Sequence, residues 1–180
     1  MHLEVQKLFD LSGKVAVITG GARNLGYDAA CVLAGAGCDL ALSSRTLADA
    51  ERSAVAIHDK YGVDTLALQL DQADAKQVDH MVEQVIVWKD RIDVLVNNAG
   101  GGSGDSPARL IDRSIADIDQ LIKVNLNGVL YCCRAVGRAM VQQRRGKIIN
   151  IASIAGLLGR DRRMYDRNSM VGQPVDYAAA

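Results

Sequence analysis

The chain has 180 residues with 21 basic and 21 acidic side chains, so its formal net charge is zero. Apolar residues make up 49% and charged residues 23%, the composition of one ordinary globular domain, and with only 4% aromatics the core falls to Ala, Val, Leu and Ile. No basic excess exists to condense on nucleic acid or an anionic membrane, and no apolar run reaches the roughly 18 residues of a membrane span.

The start, "MHLEVQKLFDLSGK", lacks a signal-peptide layout, so a cytoplasmic location is expected. Val15 to Thr19 (VAVIT) is a buried-strand run bounded by glycine. "LGYDAACVLAGAG" follows with a helical pattern and closes on Gly37. Asp39 to Ser43 is a second strand. Thr46 and Asp49 have capping-box spacing at the start of the next helix, and Gly62 stops it. Thr65 to Leu70 is a third strand. In "DAKQVDHMVEQVIVWKD" the apolar Val78, Met81, Val82, Val85 and Ile86 share one helical face. Asp93 to Asn97 is a fourth strand, and a glycine-rich loop, "AGGGSGDSP", follows it. One long helix is predicted from about Ser114 to Gln143, and Lys147 to Ala152 is a fifth strand.

Strands alternating with helices predict an α/β fold: a doubly wound parallel sheet in a single domain, with five strands and four helices. Apolar strands suit a sheet covered on both faces. In such sheets ligands bind beyond the carboxyl ends of the strands. The turn after the first strand, "TGGARNLG", lets backbone N–H groups approach a pyrophosphate at a helix N-terminus. Cys31, Cys38, Cys132 and Cys133 form no Cys-x-x-Cys pair and read as free thiols, with Cys132 and Cys133 buried in an apolar run. His2, His58 and His80 are scattered, the last two on charged, solvated helical stretches; no metal is expected.

Thr-Gly-x-x-x-(Gly)-x-Gly after the first strand, Asn-Asn-Ala-Gly after the fourth, Asn125 in the long helix and Ser153 after the fifth stand in the order of the short-chain dehydrogenase/reductase family, which the chain resembles from about Leu8 onward. The opening "LFDLSGKVAVITGG" is similar to the gluconate 5-dehydrogenase-like branch, with the 3-oxoacyl-carrier-protein reductases close by. The resemblance implies a Rossmann fold and a nicotinamide cofactor. Gly20 and Gly26 match the outer glycines of the turn, flanking Arg23, Asn24 and Leu25. Asn24 stands where the family has the middle glycine; Asn tolerates positive φ better than other side chains. Asp71 and Gln72 match the pair beside adenine, and Asn98, Ala99 and Gly100 match the segment along the adenine ribose. Asn125, Ser153 and Tyr177 match three of four catalytic residues, with Asn125 expected to hold a water that links the fourth, a lysine, to solvent.

The second strand ends Ser43-Ser44-Arg45, without the acid that NAD-preferring folds place on the ribose hydroxyls. Arg23 and Arg45 suit a 2′-phosphate, so NADP(H) is expected over NAD. Tyr165 stands at the family's usual distance after Ser153 but has no lysine four residues on. Tyr177 lies farther away within "YAAA", the family's own local pattern, which makes the intervening "RDRRMYDRNSMVGQ" an insertion beside the substrate pocket. The expectation is a piece of a longer enzyme that stops one residue before the catalytic lysine and has no turnover of its own. The parent would act on a small alcohol or ketone as a homotetramer or dimer, and the missing segment would leave Val129, Val136 or their neighbours partly bare. A sensor that binds NADP(H) without chemistry is the alternative, and a methyltransferase on a similar sheet a more distant one.

Overall fold

The computed structural model describes residues 7–102, 106–158, 161, 163–167, 170 and 172–180. Five parallel strands form one sheet: β1 (Val15–Ile18), β2 (Asp39–Ser44), β3 (Thr65–Gln69), β4 (Val94–Asn97) and β5 (Lys147–Asn150), in the order β3-β2-β1-β4-β5. The crossovers are α1 (Asn24–Gly35), α2 (Leu47–Tyr61), α3 (Ala75–Lys89) and a long helix made of α4 (Ile115–Ile122), a π-helical turn (Lys123–Asn127) and α5 (Gly128–Gln142). Two short helices, α6 (Arg163–Asp166) and α7 (Val175–Ala179), follow β5.

The period-2 alternation of β1 sorts the core. Val15 and Val17 face a layer with Val78, Met81 and Val85 of α3 and Cys132, Val136 and Met140 of α5. Ala16 and Ile18 face the opposite layer, with Ala30 and Ala34 of α1 and Ala54 and Ile57 of α2. Both faces of β1 are thus covered, as its unbroken apolar sequence requires. At the amino end of the sheet, the Asp93 carboxylate accepts from the Val15 N–H at 3.0 Å and from Arg91, tying β1 to β4.

Three local expectations are corrected. Thr46 sits at the N-cap of α2, but its side chain makes no capping bond, and Asp49 pairs with Arg52 instead. The long helix is interrupted by the π turn, whose wider hydrogen-bond ring shares the apolar pattern of an α-helix. Of the residues expected to be partly bare, Val136 is fully buried against α3, whereas Val129 is half-buried and its neighbours Leu126 and Leu130 are exposed, as is Val141. Gly62 does end α2, at φ +70° with its N–H on the His58 carbonyl. β5 is exposed along its whole length, with Ile148 and Ile149 partly bare. Burial pushes the thiols of Cys38 and Cys132 up to about 12, so both are neutral thiols near pH 7. No described helix is long and apolar enough to cross a membrane.

Candidate cofactor and active site

The carboxyl ends of β1 and β4 meet through hydrogen bonds that the strands alone do not provide. Thr19, just past β1, is fully buried, and its Oγ1 accepts the N–H groups of Asn98 at 3.1 Å and Ala99 at 3.0 Å. The Asn98 side chain donates back to the carbonyls of Thr19 (3.0 Å) and Gly20 (3.2 Å). Two loops far apart in sequence are thereby stitched into one wall.

Gly20 takes φ +63° and Asn24 φ +49°, so Asn24 adopts the left-handed conformation of the glycine it replaces. Gly26 has no room for a side chain: a Cβ there would lie 2.3 Å from the Gly20 carbonyl oxygen and 2.4 Å from Asn98 Nδ2. The turn is therefore wound tightly enough to bring backbone, without side chains, to the mouth of α1.

A cavity of about 390 Å³ opens over this turn. Gly20, Arg23, Asn24, Leu25 and Gly26 line one side, Ser44, Arg45, Asp71 and Gln72 another, and Asn98, Ala99 and Gly100 the floor. All twelve residues matched to the nucleotide cradle thus border one space. Arg23 and Arg45 are exposed at its rim. The ring of polar backbone, the absence of any side chain at Gly26 and two guanidinium groups beside Ser44 fit an extended, anionic dinucleotide. Gln72 is the exception in kind: it is 3% exposed, and its amide nitrogen donates to the carbonyls of Ala99 and Val124.

A second cavity, about 550 Å³, shares Asn98, Ala99, Gly100, Gly101 and Asn125 with the first and extends to Ser153 and Tyr177. Asn125, Ser153 and Tyr177 come from the π turn, the loop after β5 and α7, and the fold brings them to this one space. Ser153 Oγ accepts from the Ala155 N–H at 3.1 Å, which leaves its own O–H to donate. The Asn125 amide exchanges two bonds with Gly101, donating to its carbonyl at 2.9 Å and accepting from its N–H at 3.2 Å. Tyr165 lines neither of these cavities; it borders a more apolar hollow with Leu158 and Pro174, which shares Gly156, Leu157, Ala178 and Ala179 with the second cavity. Of the loop read as an insertion, Arg160, Arg162, Asn168, Ser169 and Val171 lie outside the described residues, as do Gly159 before it, His2 and part of the glycine-rich loop after β4.

Other residues of the site were given no role in the sequence, although Asn97 opens the Asn-Asn-Ala-Gly motif. Asn97 donates to Asn150 Oδ1 at 2.8 Å and holds β5 against β4. Arg113 pairs with Asp176 at 2.8 Å, both side chains being buried, and so fixes the residue before Tyr177 to the start of α4. In the sequence Thr19 stands out only as the residue that opens the glycine turn.

The family model described as short chain dehydrogenase matches residues 14–165, and the chain belongs to that family. A galactitol 2-dehydrogenase of Rhizobium johnstonii is 37% identical over 156 residues, which are 87% of this chain and 59% of that protein. An NADP-dependent mannitol dehydrogenase of Hypocrea jecorina is 36% identical over 152 residues, 83% of this chain and 56% of that one. The crystal structure of an NAD⁺-bound xylitol dehydrogenase superposes with a TM-score of 0.81 at 28% identity, covering 93% of this chain and 59% of the other. The chain thus spans less than two thirds of the length of these relatives.

Proposed function

We propose that this sequence belongs to an NADP(H)-dependent oxidoreductase that moves a hydride between the nicotinamide and a secondary alcohol or ketone. The observation that carries the reading is the pair of joined cavities: a glycine-walled cradle with two arginines at its rim, opening onto Asn125, Ser153 and Tyr177. Among the relatives one is named NADP-dependent and one is NAD⁺-bound, so the preference rests on this chain's own rim. There, β2 ends in Ser43 and Ser44 and is followed by Arg45, and the nearby Asp49 is occupied by Arg52. A guanidinium fork matches a phosphate, whereas the end of β2, Ser43 to Arg45, carries no carboxylate for ribose hydroxyls.

Bound in the cradle, NADP(H) would supply the hydride donor or acceptor. Tyr177 holds the proton: its phenol O–H is the group that would donate to the substrate oxygen as alkoxide character develops. For the reverse direction it needs a cation beside it, the role of the lysine that the family places four residues on. The free O–H of Ser153 donates to the same substrate oxygen and stabilises its charge. Asn125, holding Gly101, fixes the helix turn that borders both cavities. The small-molecule substrate is an alcohol or ketone, and a homotetramer or dimer is part of this reading, with Leu126 and Leu130 as exposed apolar surface for a subunit contact.

Calorimetric titration tests the cofactor. Arg45→Asp is expected to weaken NADPH by about 2 kcal/mol, roughly thirtyfold, the scale of a charge-assisted contact, while NADH binding holds or improves. Equal loss of both nucleotides refutes the 2′-phosphate reading. In a protein that continues past Ala180, Tyr177→Phe is expected to abolish turnover and keep NADPH affinity, and Tyr165→Phe to keep turnover. The opposite pattern would move the proton donor to Tyr165.

A further inference from the structure

We propose that Gln72 is a positioning residue that couples the nucleotide cradle to the π turn carrying Asn125; the link to cofactor rests on the function proposed above, the clamp itself does not.

Gln72 lies midway along the loop between β3 and α3, borders the nucleotide cavity and is almost wholly buried. One nitrogen serves two carbonyls from distant parts of the chain: Ala99, 27 residues on, at 2.8 Å, and Val124, 52 residues on, at 2.9 Å. The amide can take only this orientation, because rotating it would set its oxygen against two carbonyl oxygens. Val124 belongs to the π turn, where the usual ladder of the helix is interrupted. The Val124 carbonyl there is part-buried, and Gln72 donates to it from a different element. Gly128, the first residue of α5, makes the approach possible: a Cβ there would stand 2.7 Å from Gln72 Cγ and 3.0 Å from its carbonyl oxygen. The neighbouring Asn125 then exchanges its two bonds with Gly101. Residues 99 and 101 are thus fastened to residues 124 and 125 by two side-chain amides from different elements.

The chemistry requires glutamine. An aliphatic side chain fills the space and donates nothing, and a glutamate only accepts, facing two carbonyls with a charge. Gln72 Oε1 is buried without a hydrogen-bond partner among the described residues. The amide therefore costs the fold something in return for fixing geometry, which separates its positioning role from overall stability. Pressure of a nucleotide on the floor at Ala99 and Gly101 reaches Asn125 through these two amides.

The test uses the 180-residue chain and NADPH, with amide exchange followed by NMR. In the wild type, the Gln72 side-chain protons are expected to exchange slowly and to show through-bond couplings to the carbonyl carbons of Ala99 and Val124. In Gln72→Met, the amides of Gly101 and residues 124–128 are expected to exchange about tenfold faster, the scale of one net hydrogen bond, with β1 unchanged. Saturating NADPH should slow exchange at both residues 20–26 and 124–128 in the wild type. In the variant, at NADPH concentrations that saturate it, it should slow only the first, a pattern that mere loss of stability does not produce. Wild-type Gln72 protons exchanging like a solvated amide, or an unchanged NADPH response at 124–128 in the variant, would overturn the proposal. Should Gln72→Met fail to fold, the wild-type couplings decide it. A wild type that ignores NADPH would overturn the function proposed above and leave the clamp to be judged on exchange without ligand.

Discussion

A methyl group added at Gly26 is expected to damage both the fold and the cradle. The new Cβ would lie 2.3 Å from the Gly20 oxygen and 2.4 Å from Asn98 Nδ2, where ordinary contacts begin at 3.4 Å. The first neighbour is backbone and cannot step aside without unwinding the glycine turn. The second is held by its own bonds to the Thr19 and Gly20 carbonyls, so moving it breaks the stitch between β1 and β4. Overpacking of this kind costs about 1–3 kcal/mol. Losing the two Asn98 bonds adds about 1 kcal/mol each, for a total near 3–5 kcal/mol. That is a large share of the ~5–15 kcal/mol that holds a domain together. With a urea slope of about 2 kcal/mol/M, the unfolding midpoint of Gly26→Ala should fall by roughly 1.5–2.5 M. NADPH binding, read by calorimetry below that midpoint, should be lost. A further change, Asn98→Ala, removes one of the two clashing atoms, so the double variant should be less destabilised than the sum of the singles by about 1 kcal/mol or more. A midpoint shift under about 0.5 M with NADPH affinity retained would refute this account of the turn.

At the other special position of the turn, Asn24→Gly should leave the urea midpoint almost unchanged, because relief of left-handed strain and the entropy cost of glycine offset each other. Asn24→Val should lose about 2 kcal/mol, and a tolerated valine would show that the positive φ is not required. Asp93 opposes burial, which alone would raise its pKa, with the Arg91 bond, the Val15 N–H and the Arg91 and Lys14 charges, and the net effect holds its carboxyl below the ordinary 3.8. A depressed folded-state value means its contribution is complete above that range and is lost as pH falls through the folded value. Asp93→Asn should therefore cost about 2–3 kcal/mol at pH 7 and flatten the acid limb of a stability–pH curve; an unchanged acid limb would contradict the assignment.

The sequence by itself determined the order of strands and helices, the parallel sheet and the places where its loops carry function. These follow from local physics: period-2 and period-3.6 apolar patterns, glycine at tight turns, and the rule that ligands sit at the carboxyl ends of parallel strands. Gly26 and Asn24 were legible because a tight turn limits what its own residues can be. Gln72 was matched to the adenine end by resemblance, but its clamp was not legible: its amide answers carbonyls 27 and 52 residues away, and no local pattern registers them. The π turn was also hidden, since moving a hydrogen bond from the fourth residue to the fifth leaves composition and apolar spacing as they were. The same holds for Arg113 and Asp176, which no local pattern pairs and which are buried together where α7 meets the start of α4. Only the tertiary structure decides such pairings, because a buried polar group is defined by the partner that the fold delivers to it.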